Sequence, residues 1–149
     1  GEPLLRARQE MCAIDVRDHS LRRVDSTPFP MDMDLLRPVV TAPCRRMKLK
    51  LGEECLVYSY QVRTMDTDLN HHMNNTNYIR LILDAQPSSF WDRYRVQEFD
   101  VHYVNESVEG EEIQVYCQTE AQEMAVQIKR GETTLVKAFL QLAQREKSE

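Results

Sequence analysis

The sequence lacks several patterns that would assign it to a common functional class. None of its four cysteines, Cys12, Cys44, Cys55 and Cys117, forms a Cys-x-x-Cys pair, which argues against a structural zinc site. No apolar run approaches the roughly 20 residues of a membrane-spanning helix, and no signal-peptide pattern is visible. Lys and Arg number 19 against 24 Asp and Glu, and the resulting net charge of -5 disfavours nucleic acid as a partner.

The length of 149 residues fits one domain, or one domain with part of another. A single domain of this size buries roughly 68–70% of its unfolded surface, so it needs neither disulfides nor a metal ion to fold. An even number of cysteines without a secretory segment indicates reduced thiols. We therefore expect a cytoplasmic protein without a cofactor.

The amino-terminal third divides into a hairpin and a proline-rich segment. Residues 4–16 favour a strand, the turn-forming residues 17–20 follow, and a short apolar and basic run succeeds them. Residues 25–43 contain four prolines, a density that prevents regular helix and ladder pairing. This pattern predicts a hairpin over 1–24 followed by a linker over 25–43.

The remainder predicts one dominant helix within a set of strands. A β-rich run covers 56–64, and the helical pattern covers 75–85 and ends before Pro87. The apolar residues predicted to share one face of the helix are Tyr78, Ile79, Ile82 and Leu83. A short helical turn over 88–94 comes next, and the strand patterns that follow it are 96–104, 113–120, 124–130 and 133–145, with a hairpin turn at 129–132. The order predicts an α+β fold in which an antiparallel sheet covers one helix.

A dense polar stretch precedes the predicted helix. Asp68, Asn70 and His72 alternate, so in an extended segment their side chains would face one cavity. Asn74 or Asn75 can then cap the helix, whose free backbone N–H groups can polarise a carbonyl and stabilise an oxyanion. A carboxylate, an amide, an imidazole and an oxyanion site close together predict an acyl-hydrolysis centre.

The polar stretch also resembles other kinds of site. It begins like a calcium loop, but the sixth position is His71 instead of Gly and the twelfth is Asn77 instead of Glu. Adjacent histidines in an extended segment point to opposite sides, so we expect His71 and His72 to form no metal site with Asp66 or Asp68. A polar surface loop with Asx turns and a helix cap remains an equal alternative from spacing alone.

The motif "DTDLNHHMNNTNYIRLILDA" resembles the acyl-[acyl carrier protein] thioesterases, whose signature is D-x-N-x-H-x-N-N-x-x-Y at the start of a central helix. The residues that match it are Asp68, Asn70, His72, Asn74, Asn75 and Tyr78. Downstream, "FDVHYVNES" is similar to the family's aromatic-rich strand that ends in Glu-Cys. Glu106 takes the glutamate position, and Ser107 stands where plant members have cysteine. This departure favours a mechanism without a thiol nucleophile.

The resemblance implies a hot-dog fold, an antiparallel sheet wrapped around one central helix. Family members carry two such domains in tandem, with this motif opening the second. By similarity, 1–24 is a remnant strand hairpin of a first hot-dog domain, 25–43 is the interdomain linker and 44–149 is the second, catalytic domain. We therefore expect an amino-terminally truncated protein that pairs as a homodimer, because a single hot-dog sheet leaves an edge open.

The resemblance also implies hydrolysis of fatty acyl-[acyl carrier protein] to free fatty acid, which ends chain elongation. By similarity, Asp68, Asn70, His72 and Glu106 form the catalytic network, with no cofactor or metal. Glu106 or His72 would activate water, or hydrogen-bond to the group that does. Asn70 would hold the thioester carbonyl or a partner carboxylate, and Asp68 could orient His72 or itself be the nucleophile.

The carrier protein would be the partner, and its acidic surface would require a basic docking face. The candidates are Arg45, Arg46, Lys48 and Lys50, which are equally well explained as a solvated sheet edge. Two alternatives to this function remain. One is a hot-dog acyl-CoA thioesterase, and the other is a non-catalytic hot-dog module that binds acyl chains or a partner domain.

Overall fold

The computed structural model divides the chain into two compact units, Gly1–Arg45 and Arg46–Glu149. The residues that the structure describes are 6–9, 13–15, 17–18, 20–23 and 47–145. The predicted linker over 25–43 and the candidate docking residues Arg45 and Arg46 lie outside this part.

The first unit contains a two-stranded antiparallel hairpin where the sequence predicted one. Strand β1 (Ala13–Ile14) pairs with strand β2 (Leu21–Arg22). The carboxylate of Asp15 accepts a hydrogen bond from the Arg17 backbone N–H at 2.9 Å and pairs with the Arg22 guanidinium at 2.7 Å. These two contacts, the backbone hydrogen bond first, lower the pKa of Asp15 below its ordinary value.

The second unit is a five-stranded antiparallel sheet with one main helix. The chain order is β3 (Leu56–Gln61), α1 (Asn75–Asp84), α2 (Ser88–Trp91), β4 (Tyr94–Tyr103), β5 (Glu112–Glu120), β6 (Glu123–Arg130) and β7 (Thr133–Gln144). In space the strands run β3-β5-β6-β7-β4, and every neighbouring pair is antiparallel. The predicted α+β layout is confirmed, although β3 ends earlier than predicted because a 3-10 turn forms at Thr64–Asp66.

Helix α1 buries one face against the sheet. Tyr78, Leu81 and Ile82 are almost fully buried and join one hydrophobic core with residues of β5, β6 and β7, while Leu83 packs at its margin. The predicted face was partly wrong, because Ile79 is only half-buried and Leu81 lies at the centre. Burying one such aliphatic side chain contributes roughly 1.5–3 kcal/mol, so this face fixes the helix on the sheet.

Local signals set the ends of these elements. Asn74 is the N-cap of α1, and its side-chain oxygen accepts from the Thr76 N–H at 2.9 Å. The helix ends before Pro87, as predicted. The predicted turn between β6 and β7 places Gly131 at a φ of 53°, a conformation that glycine adopts without steric cost. Within the described ranges, no helix has the length and apolar character needed to cross a membrane.

Candidate active site

The polar stretch before α1 forms a tight turn, so the predicted extended path is wrong. The Asn70 N–H donates to the Asp68 side chain at 2.8 Å, and the His71 N–H donates to the Asp68 carbonyl at 3.0 Å. The Asp68 N–H closes the turn by donating to the His72 carbonyl at 2.9 Å, and His71 has a φ of 63°. Asp side chains readily form such turns with the backbone two residues on, which competes with an extended chain.

The turn brings the chain against the loop that follows β4. The Met73 N–H donates to the Ser107 carbonyl at 2.8 Å, and His72 forms an isolated bridge with Val108. As a result, His72 Nδ1 lies 3.2 Å from Glu106 Oε2. Backbone pairing therefore joins two segments that are more than thirty residues apart in sequence.

All four predicted site residues line one pocket of about 280 Å³. Asp68, Asn70 and His72 come from the turn, and Glu106 comes from the loop after β4. The pocket is completed by Met73, Asn74 and Asn75 at the start of helix α1. The structure thus brings the predicted residues together, through a turn rather than through the alternation of an extended chain.

The His72–Glu106 pair is open to water. The exposed fractions of the two side chains are 39% and 66%, so their mutual attraction is screened and contributes little to stability. The contact matters because it orients the imidazole ring of His72. When Nδ1–H donates to the carboxylate, the neutral imidazole keeps Nε2 as its basic nitrogen.

The first turn of helix α1 supplies hydrogen-bond donors to the same pocket. The Asn74 side chain occupies the Thr76 N–H, and the Asn77 N–H donates to the Asn74 carbonyl. Within the part of the chain that the structure describes, the Asn75 N–H donates to no other group. This N–H and the positive end of the helix dipole favour negative charge in the pocket.

Asp66 is a buried carboxylate that helps to position the residues lining the pocket. The sequence did not distinguish it from the other aspartates nearby. Asp66 is 4% exposed and accepts hydrogen bonds from the Tyr60 hydroxyl at 2.6 Å, the Arg63 N–H at 2.8 Å and Arg80 at 3.1 Å. The pKa of Tyr60 is raised by burial and by this carboxylate. The hydrogen bond to Tyr60 raises the pKa of Arg80, which keeps its charge.

The backbone of Asp66 also holds the helix start. Its carbonyl accepts from the Asn74 N–H at 2.8 Å and from the Asn77 side chain at 3.0 Å. Asp68, Asn70 and Asn74 follow it closely in sequence, and only the tertiary fold shows which of these side chains is buried. No signal in the sequence could have marked Asp66 as the buried member.

Ser107 faces the core instead of the pocket. It is fully buried, and its hydroxyl oxygen lies 2.6 Å from the Tyr78 hydroxyl and 3.6 Å from the Met73 sulfur. Burial raises the pKa of Tyr78, although its contact with Ser107 acts in the opposite direction. The residue that stands at the plant cysteine position therefore packs beneath Glu106.

The residues around the pocket give no metal-binding cluster. Within the described ranges, no group of three or more His, Cys, Asp or Glu side chains is placed to hold a metal ion. The lining of the pocket offers two carboxylates, an imidazole, side-chain amides and a helix N-terminus for chemistry at a carbonyl group.

The single long helix on a five-stranded antiparallel sheet, with the polar pocket at the helix start, defines the hot-dog fold. Residues 49–138 match the family described as the acyl-ACP thioesterase C-terminal domain. The chain belongs to this family.

Solved structures agree with the fold. An acyl-ACP thioesterase from Bacteroides thetaiotaomicron has a TM-score of 0.68 at 21% identity and covers 87% of this chain and 53% of that chain. The 12:0-ACP thioesterase from Umbellularia californica has a TM-score of 0.61 at 18% identity. The match covers 68% of this chain and 40% of that chain. A thioesterase from Thermus thermophilus, complexed with coenzyme A and Zn, has a TM-score of 0.54 at 18% identity. The match covers 62% of this chain and 80% of that chain. This chain spans about half the length of the Bacteroides structure, and no curated protein matches it.

Proposed function

We propose that this chain is the catalytic half of a thioesterase that hydrolyses fatty acyl-[acyl carrier protein] to free fatty acid and carrier protein, in the cytoplasm. The observation that carries the proposal is the 3.2 Å approach of His72 Nδ1 to Glu106 Oε2, within a pocket that Asp68 and Asn70 share. Family membership supports thioester hydrolysis as the reaction class, and the family description supports the carrier-bound substrate.

In the proposed reaction, water attacks the thioester carbonyl. Glu106 orients the imidazole of His72, and Nε2 takes the proton as the water oxygen bonds to the carbonyl carbon. The tetrahedral intermediate collapses with cleavage of the C–S bond, and the imidazolium returns the proton to the leaving thiolate. The products are a carboxylic acid and a free thiol, so atoms and charges balance without a cofactor.

The helix start would receive the developing oxyanion. The Asn75 N–H is the available donor at the first position of α1, and the Asn70 amide lines the same pocket. Donors held in place before the reaction stabilise the intermediate without reorganisation. The Asp68 side chain accepts a hydrogen bond from the Asn70 N–H, which holds the turn and thereby positions the Asn70 side chain in the pocket.

The catalytic assignment is tested by matched substitutions. We expect His72→Asn and Glu106→Gln to lower kcat/KM roughly 10²–10⁴-fold, the usual contribution of a general base and its partner. The control for His72 is His71→Asn, since His71 is exposed and asparagine tolerates its positive φ. The control for Glu106 is Glu98→Gln, an exposed glutamate on β4. A loss below about threefold in both site variants would remove the assignment.

The substrate is tested by comparing acyl-carrier and acyl-CoA thioesters of one chain length. Faster turnover of the carrier thioester is expected. Equal or faster turnover of the CoA ester would instead identify an acyl-CoA thioesterase. If neither thioester is hydrolysed, the chain is a non-catalytic binding module.

A further inference from the structure

A second cavity, of about 410 Å³, lies on the face of the sheet opposite helix α1, and we call it the lysine pocket. Its lining residues are Lys48, Leu49, Lys50, Gln127, Lys129, Glu132, Thr134 and Lys137. The whole sequence has five lysines, and four of them line this cavity. Such a concentration in a chain of net charge -5 calls for a physical reason.

The wall of the lysine pocket is fixed by buried hydrogen bonds. The Leu51 N–H donates to the Gln127 side chain at 2.9 Å, and Gln127 in turn donates to the Thr134 hydroxyl at 2.8 Å. The Lys129 ammonium donates to the Leu51 carbonyl at 2.8 Å and lies 3.9 Å from the centre of the Tyr116 ring. Gln127 is only 3% exposed, so its hydrogen bond holds Leu51 firmly against the outer face of the sheet.

The lysine pocket lies at the same end of the sheet as the candidate active site. Thr134 lines the pocket, and its carbonyl accepts from the Asn105 side chain at 2.7 Å, directly before Glu106. Arg130, beside Lys129 on β6, donates to the Glu106 carbonyl at 3.4 Å. A ligand in the lysine pocket would therefore lie across the sheet end from the thioester site.

The described residues that line the pocket carry a net positive charge. Within the described ranges, no ion pair joins any of its four ammonium groups to a carboxylate. Glu132 is the one carboxylate among the lining residues. Like charges held together repel one another, and an anion in the cavity would relieve that repulsion.

We propose that the lysine pocket is a binding site for a phosphate group. Lysine ammonium groups bind phosphate as point charges, and the Thr134 hydroxyl adds a hydrogen-bond donor. A cavity of this volume is in the range of small-molecule sites. The phosphate could belong to the pantetheine arm that carries the thioester, which rests on the proposed function, or it could be free inorganic phosphate.

Calorimetry on the 149-residue chain tests binding without any hydrolysis. Inorganic phosphate and coenzyme A are titrated into the wild type and into the single variants Lys48→Gln and Lys137→Gln. Each variant is expected to weaken binding roughly three- to tenfold, as the loss of one exposed charge-assisted contact should. The matched control is Arg95→Gln, which removes one exposed charge from β4 and should leave affinity unchanged.

Kinetics then distinguish the two sources of the phosphate. If the arm supplies it, Lys137→Gln raises KM for acyl-CoA but not for an acyl thioester of N-acetylcysteamine, which lacks phosphate. If binding of inorganic phosphate depends on the lysines and KM does not, the site takes free phosphate. Absence of hydrolysis would count against the proposed function alone, because the binding measurements do not need it.

Three results would overturn the phosphate site. The first is that the wild type binds neither phosphate nor coenzyme A. The second is that Arg95→Gln weakens binding as much as the lysine variants do. The third is lysine-dependent binding of a carrier protein that lacks its prosthetic arm, without any binding of phosphate. That result would make the surface a protein-docking face instead.

Discussion

At the scale of single residues, the buried carboxylate of Asp66 links the end of β3 to the start of helix α1. Its side chain is held by Tyr60, Arg63 and Arg80, and its carbonyl is held by Asn74. A buried charge of this kind is stabilising only while its partners remain, because an unpaired one loses its hydration without replacement. The polar pocket therefore depends on a residue that does not line it.

Replacing Asp66 should destabilise the fold and displace the site. We expect Asp66→Asn to lower the free energy of unfolding by about 1–3 kcal/mol, since both carboxylate oxygens accept hydrogen bonds and an amide has only one acceptor oxygen. Urea denaturation measures the change, with the exposed Asp92→Asn as control. Unfolding within about 0.5 kcal/mol of the wild type would show that the network carries no net stability.

Ser107 allows a test of whether any hydroxyl nucleophile is used. Because its side chain is fully buried against Tyr78, we expect Ser107→Ala to keep kcat within a few-fold of the wild type while stability falls by about 1 kcal/mol. Steady-state kinetics and urea denaturation separate the two effects, with the exposed Ser59→Ala as control. A loss of kcat comparable to that of His72→Asn would contradict the water mechanism.

At the scale of elements, the loop between β4 and β5 carries Glu106 and is tied to the sheet by an ion pair. Arg130 on β6 approaches Glu111 at 2.6 Å, and the Val108 N–H also donates to Glu111 at 3.0 Å. Partial burial alone would raise the pKa of Glu111, but the contacts with Arg130 and Val108 lower it below its ordinary 4.5.

This lowered pKa predicts a specific pH dependence of stability. Ionised Glu111 stabilises the folded state above pH 4.5, and that contribution is lost as the pH falls through the lowered value. The wild type should therefore unfold at a higher urea concentration than Glu111→Gln near neutral pH, and the difference should close as the pH falls below 4.5 and through the lowered pKa. The exposed Glu112→Gln is the control. If the wild type and Glu111→Gln still differ in urea stability at low pH, the ion pair is not the cause of the difference.

Elements and site residues differ in how far the sequence predicts them. Helix α1 was predicted nearly to its ends, because the Asn74 cap and Pro87 act within a few residues. The backbone path from Asp68 to His72 was not predicted correctly, because this short sequence is compatible with both an Asx turn and an extended strand. The four residues expected from the family resemblance line one pocket, while the geometric argument for their meeting was wrong.

At the scale of the whole molecule, the sheet of the second unit ends in two edge strands. In the described part of the chain, β4 pairs only with β7 and β3 only with β5. The ten-residue β4 is the longer edge, and Tyr103 and Val104 at its end are 40% and 53% exposed. An open edge with exposed apolar groups favours association with a second sheet.

We expect this chain to form a dimer through β4. Sedimentation at rising protein concentration should show a dimer, and Val104→Lys should raise its dissociation constant roughly tenfold, because an edge lysine opposes pairing. The control is Val57→Lys, an equally exposed valine on the other edge strand. A monomer at every concentration would contradict the prediction, and a dimer sensitive only to Val57→Lys would place the contact at β3.

The sequence by itself predicted the class of fold, the position of the central helix and four candidate site residues. The helix follows from local periodicity and capping, which act over a few residues, and the candidate residues follow from the resemblance of two short segments to a family's motifs. The tertiary structure alone decided that His72 meets Glu106, that Asp66 is the buried carboxylate and that four of five lysines share one pocket. Each of these depends on strands and loops that are distant in sequence, and only their pairing in the sheet brings the side chains together.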